Sequence, residues 1–143
     1  MRRAAAILFV AWAAIAAGAL GCGRGGPLTC DRTAEGNPVV RYTEGEVANE
    51  VYMSSPWGGE LLYFPGGMHY AIEHKLGAEP RWITSYLAFD RYAAGDSGLA
   101  PAAGNQVVIL DVNATTVTLA NDSCVDYWLL LTAGTGAEPA PAP

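Results

Sequence analysis

Between residues 38 and 132 apolar and polar positions change places every few residues, and clusters of Gly, Pro, Asn and Asp cut the pattern into short pieces. Short strands joined by tight turns produce that pattern. Strands are predicted at 39–43, 47–53, 60–64, 68–76, 81–89, 106–112, 115–120 and 124–131. The clearest is 68–76, where Met68, Tyr70, Ile72 and His74 alternate with His69, Ala71, Glu73 and Lys75. A period of two puts the first set on a buried face and the second on an exposed one. On this reading His74 caps the turn that follows, and His69 faces solvent beside Glu73. The segment 81–89 is rich in aromatic and β-branched residues on both faces and reads as a central strand. Val117 and Leu119 alternate with Thr116 and Thr118 in the same two-residue manner.

The turns are equally legible. Pro65-Gly66-Gly67, Asn113-Ala114 and Asn121-Asp122-Ser123 separate strand candidates, and Gly77 and Pro80 frame another turn. Residues 90–104 lack periodicity, and connections of that length in a small domain are usually functional or disordered. The expected fold is therefore all-β: a single antiparallel β-sandwich or jelly-roll-like domain of about eight strands, spanning 38–133. The Ala/Pro-rich segment 134–143 has nothing to bury and is expected to be a disordered tail.

Ahead of the domain the pattern changes. Arg2 and Arg3 precede an uninterrupted apolar stretch, 4–20, which ends in Ala19-Leu20-Gly21-Cys22. Positive charge, apolar core and small-residue junction make an export signal, helical while it lasts. The junction resembles the signal peptide of bacterial lipoproteins, which is cut before a cysteine that then carries lipid. That resemblance implies cleavage after residue 21, lipidation of Cys22, and a tether over 22–37. It places the protein on the bacterial membrane by anchoring, not by spanning. Gly23, standing where aspartate retains such proteins at the inner membrane, implies the outer membrane, on its periplasmic or surface face.

The leader resolves the cysteine count. With Cys22 on lipid, Cys30 and Cys124 remain as a pair in an oxidising compartment, where a disulfide is expected. The mature chain would carry six basic residues against fourteen acidic ones, a balance that excludes nucleic acid as a partner.

Catalytic chemistry finds little support. His69 and His74 are the only histidines and fall on opposite strand faces, so no shared metal is expected. The carboxylates Glu60, Glu73, Asp90 and Asp111 share no motif, and Asp90 with Asp96 fits no calcium-loop spacing. No nucleophile-elbow, zinc-protease or phosphate-loop motif occurs. The chain reads as non-enzymatic, without cofactor or metal. Aromatic side chains are the remaining candidates for binding. Trp82, Tyr86 and Trp128 lie in strands and are expected to pack in the core or the barrel wall, whereas Trp57 and Tyr92 sit in loops and are the candidate ligand-binding residues.

The run His74-Lys75-Leu76-Gly77-Ala78-Glu79-Pro80 forms an H-x-L-G-x-x-P motif before an aromatic strand, a long loop and the hairpin Val-Asn-Ala-Thr-Thr-Val-Thr-Leu. Over 68–132 this resembles small β-sandwich modules of phage tail fibres and, more distantly, the H-type lectin sandwich. The resemblance implies a non-catalytic module that oligomerises or binds glycans, with His74, Gly77 and Pro80 organising a turn. The expected function is a lipid-anchored binding or structural module at the cell surface. Its expected partners are the membrane through its lipid, a glycan or envelope protein, and further copies of itself. A subunit of an envelope assembly and an exported hydrolase are the alternatives.

Overall fold

The computed structural model describes residues 30–93 and 98–136. The leader, Cys22, the first half of the tether, Asp96 and the end of the tail lie outside the described residues. Among the described residues ten strands form: β1 (Val40–Tyr42), β2 (Glu46–Ala48), β3 (Val51–Met53), β4 (Leu62–Phe64), β5 (His69–Glu73), β6 (Trp82–Ala88), β7 (Ala100–Pro101), β8 (Val108–Val112), β9 (Thr116–Ala120) and β10 (Tyr127–Gly134). They make two sheets, as a β-sandwich requires. The first runs β1-β5-β9-β8; the second runs β2-β3-β10-β6-β7, with β4 also paired to β10.

The core lies between the sheets because each strand turns alternate residues inward. Tyr70 and Ile72 of β5 and Val117 and Leu119 of β9 meet Tyr52, Phe64, Leu87, Leu129 and Leu131 from the second sheet. The predicted alternation at 68–76 is present: Tyr70, Ile72 and His74 are buried. His69 is not solvent-facing as expected; it too is buried. Alternation along one strand assigns a face, but not whether another segment covers that face.

Four other expectations change. The predicted strand 47–53 is a hairpin, β2 and β3 paired antiparallel about Asn49-Glu50. Both turn residues have positive φ, 51° and 65°, the two-residue turn whose twist matches paired strands. Glycine favours the second position and Glu50 resists it, so Glu50→Gly is expected to stabilise the domain by about 0.5–1 kcal/mol. Urea unfolding midpoints of the two proteins check this; an unchanged or lower midpoint contradicts it. The second change is in the 90–104 connection, which contains β7, paired to Tyr86 and Leu87 of β6, and runs into a 3-10 turn at Gly104–Gln106, so that β8 begins at Val108 and not at 106. The third is that β10 occupies Tyr127–Gly134, where a strand over 124–131 is predicted. The fourth is that β1 pairs with β5 in parallel, while every other pair is antiparallel.

Two devices close the base of the sandwich. Cys30 and Cys124 form the expected disulfide, which holds residues 30–37 against the molecule. Arg32 donates to the Asp122 carbonyl and pairs with its carboxylate. The segment runs so close to Gly67 that a Cβ there would collide with the Asp31 carbonyl. Asn121 is the second device. It is fully buried, and its amide donates to the carbonyls of Phe64 and Val125, at 3.1 and 2.8 Å. Its side-chain oxygen accepts from the Ser123 N–H and hydroxyl. Its backbone donates to Met68 O and accepts from Gly67 N. One side chain thus joins the ends of β4, β9 and β10.

The predicted turns form with their expected chemistry. Met68 N donates to Pro65 O, and Gly67 has φ 78°. Asn113 Oδ1 accepts from the N–H groups of Thr115 and Thr116, closing the β8–β9 hairpin. His74 Nδ1 accepts from Leu76 N while Nε2 lies 3.0 Å from the Asn113 carbonyl. Because a carbonyl only accepts, Nε2 carries the proton, and the ring ties its own turn to the neighbouring hairpin. Gly77 takes φ 75°, which the motif's glycine permits without strain. Pro80 then leads through Arg81 into β6.

Candidate functional site

The site begins at a break in the second sheet. One edge of β10 is shared by two short strands: β3 pairs with Thr132–Gly134 and β4 with Tyr127–Leu129. Between them the chain leaves the sheet as an excursion over residues 54–61. Opposite the gap, Leu131 would be left with unpaired backbone groups. Ser54 meets both: its N–H donates to Leu131 O and its hydroxyl accepts from Leu131 N, each at 2.9 Å. That double use explains why a serine is buried here.

The excursion returns over the outer face of the sheet. Leu61 packs on Ala88 and Leu130, with Met53, Tyr86, Ala93, Leu99 and Trp128 around them. Leu61 N also donates to Arg91 O at 2.8 Å, so the 54–61 excursion is bonded to the segment following β6. This small second core fixes the loops that carry the candidate residues.

Aromatic groups follow from the register. Tyr63 stands opposite Trp128 across the β4–β10 pair, and their rings meet with centroids 5.0 Å apart. The Arg91 guanidinium lies 5.9 Å from the Trp128 ring centre and 5.6 Å from that of Tyr92. Arg91 also pairs with Glu60, whose other oxygen lies 3.5 Å from the Tyr92 hydroxyl. Trp57 stands at the tip of the excursion, 63% exposed, with its ring edge-on to Tyr86 at 5.4 Å. Of the two candidate residues, Trp57 lines the groove described next together with Glu60 and Arg91, whereas Tyr92 contacts Arg91 and Glu60 without lining it.

A groove of about 920 Å³ opens beside the excursion. Its walls include Tyr42, Trp57, Tyr63 and Trp128, together with Glu44, Glu46, Glu60 and Arg91. The Tyr42 hydroxyl donates to Ser54 O, and burial, reinforced by Glu44, pushes its pKa above the usual value. Tyr63 donates to Asp126, and that hydrogen bond raises the phenol's pKa as well. Both rings therefore stay neutral across the physiological range. Trp128, expected to pack in the core or the barrel wall, packs against the Leu61, Ala88 and Leu130 cluster and also lines this groove. Tyr86 also lies outside the main core, in contact with Trp57, and Trp82 covers Gly134 across the β6–β10 pair.

The residues weighed for catalysis do not converge. Glu73 pairs with Arg41 on the first sheet, while Glu60 pairs with Arg91 on the second. Asp111 accepts from Asn113 within its own hairpin, and Asp90 Oδ1 accepts from Tyr92 N. No group of three or more His, Cys, Asp or Glu side chains capable of holding a metal occurs among the described residues. His74 is occupied by its turn, as described above.

Sequence reasoning missed Tyr63 and Trp128 as partners, and missed the Glu60–Arg91 pair between them and Tyr92. The signal for the first pair was the strand register, which one sequence does not display. No protein-family model matches the chain, and no curated protein or solved structure matches it either.

Proposed function

We propose that this protein is an exported, lipid-anchored, non-catalytic binding module that takes its ligand in the groove beside Trp57. The single observation behind the reading is the convergence of four aromatic residues, Tyr42, Trp57, Tyr63 and Trp128, on one concave surface, with Trp57 and Tyr63 exposed. Large aromatic side chains in a concavity gain contact area at little conformational cost, which is why binding sites concentrate them. Trp57 is held by Tyr86 yet leaves most of its surface to solvent, and no packing role needs that exposure. The leader and Cys22 supply the address. Eight peptide steps from Cys22 to Cys30 span at most about 29 Å, so a Cys22 lipid would hold the disulfide end of the domain near the membrane. Gly23 favours the outer membrane.

The test is a saturation-transfer NMR screen of the purified full chain in detergent, using neutral oligosaccharides and small organic cations. At least one compound is expected to bind, with the signal reduced about tenfold in Trp57→Ala and in Tyr63→Ala. Absence of any bound compound, or binding that neither substitution weakens, contradicts the reading.

One observation favours a second reading, assembly through a sheet edge. Strand β8 pairs only with β9, and its Ile109 and Leu110 are 40% and 53% exposed. The bulge between Ile109 and Asp111 works against this edge, because a kinked strand is a poor template for another. Light scattering of the full chain separates the two: a stable trimer or dimer lost in Leu110→Lys supports assembly, and a monomer contradicts it.

A further inference from the structure

The charge in the groove names the class of ligand. Glu44, Glu46 and Glu60 line it against one guanidinium, Arg91, which is already paired with Glu60. Neither Glu44 nor Glu46 forms an ion pair among the described residues. The chain's one lysine, Lys75, gives its ammonium to the Gly45 carbonyl at 3.1 Å, so three carboxylates stand against two cations at the groove. The groove thus keeps negative charge beside the faces and edges of neutral aromatic rings, on a chain whose acidic residues outnumber its basic ones. Anions are repelled from such a surface, and a cation is drawn to it.

The protein supplies its own precedent for what sits there. Arg91 places a delocalised cation 5.9 Å from the Trp128 ring centre and beside a carboxylate. That distance is within the range at which a ring attracts a positive charge, and tryptophan does so most strongly. Trp57 and Tyr63 line the same groove as Glu44 and Glu46, and among the described residues neither ring faces a cation of the chain and neither carboxylate forms an ion pair.

We infer that the groove binds a small organic cation of the alkylammonium class, held against Trp57 and Tyr63 and balanced by Glu44 and Glu46. This rests on the binding-module reading above and specifies its ligand. An alkylammonium group fits better than a bare metal ion. Its methyl groups gain from the apolar ring surface, its spread charge costs little to dehydrate, and the carboxylates need not coordinate it directly.

The experiment titrates the purified full chain with tetramethylammonium and, separately, with neopentyl alcohol, a neutral compound of similar shape, following tryptophan fluorescence at constant ionic strength. Tetramethylammonium is expected to bind with a dissociation constant on the order of 1 mM, and neopentyl alcohol at least about tenfold more weakly. Glu44→Gln with Glu46→Gln preserves shape and removes charge, and is expected to weaken the ammonium about tenfold without affecting folding. Trp57→Ala is expected to do the same through loss of the ring. Equal binding of the alcohol, or an unchanged affinity in the double glutamine variant, overturns the cationic ligand. A neutral oligosaccharide that binds at Trp57 while the ammonium does not also overturns it, but leaves the groove as a binding site. No response to any of the three overturns both.

Discussion

Reducing the Cys30–Cys124 disulfide is expected to cost the domain about 2–4 kcal/mol, and to lower its melting temperature by about 10–20 °C. The bridge joins residues 94 apart in sequence, so it closes almost the whole domain into one loop. A loop that long restricts the unfolded chain strongly, and the chain-entropy argument places the ceiling near 4–5 kcal/mol. The native state also loses from reduction. Residues 30–37 form no strand and touch the body mainly through Arg32 and through Asp31 beside Gly67. Exposed ion pairs such as Arg32–Asp122 contribute little alone, so the segment depends on the covalent link. Thermal unfolding with and without a phosphine reductant checks the prediction, and Cys30→Ala with Cys124→Ala should reproduce the reduced value. A shift of only a degree or two would show that the base of the sandwich holds without it.

Asn121→Ala should be comparably damaging, lowering stability by about 3 kcal/mol. The asparagine is fully buried and uses both its amide hydrogens and its oxygen. Its removal leaves the Phe64 and Val125 carbonyls without those donors, and each buried orphan costs about 1–3 kcal/mol. Asn121→Asp tests the mechanism more sharply. It keeps size and acceptor but removes both donors and buries a charge beside the Phe64 and Val125 carbonyls. It should therefore be at least as destabilising as alanine, whereas a purely space-filling role predicts that it is mild. Urea unfolding of the three proteins decides between these outcomes.

Legibility in the sequence followed the physics of each element. Strand β5 was readable because one of its faces meets the core, so Tyr70 and Ile72 alternate cleanly with Ala71 and Glu73. The turns at Asn113 and Asn121 were readable because their side chains bond to nearby backbone, which is local chemistry. The hairpin at Asn49-Glu50 was not, because its second position holds glutamate where glycine would have announced the turn. The burial of His69 depends on what lies over an outer sheet face, which periodicity does not encode. The groove was half readable. Trp57 and Tyr92 stood out as aromatic residues in loops, but their meeting with Tyr63, Trp128, Glu60 and Arg91 comes from pairing between β4 and β10 and from one loop bonding to another at Leu61 and Arg91. Those contacts join residues about 30 to 65 positions apart, and nothing local specifies them.

The groove also explains why the fold contains its broken strand. A continuous strand opposite β10 would pair every backbone group and leave no room for Trp57. Splitting it into β3 and β4, with Ser54 closing the ladder opposite Leu131, lifts eight residues off the sheet at small cost.

The proposed function depends first on where the chain is held, and the intact mass of the protein extracted from cell membranes tests that most directly. The account predicts a mature chain beginning at Cys22, carrying the added mass of its acyl groups, with the Cys30–Cys124 bridge oxidised. A chain beginning at any other residue, or an unmodified Cys22 thiol, would contradict it.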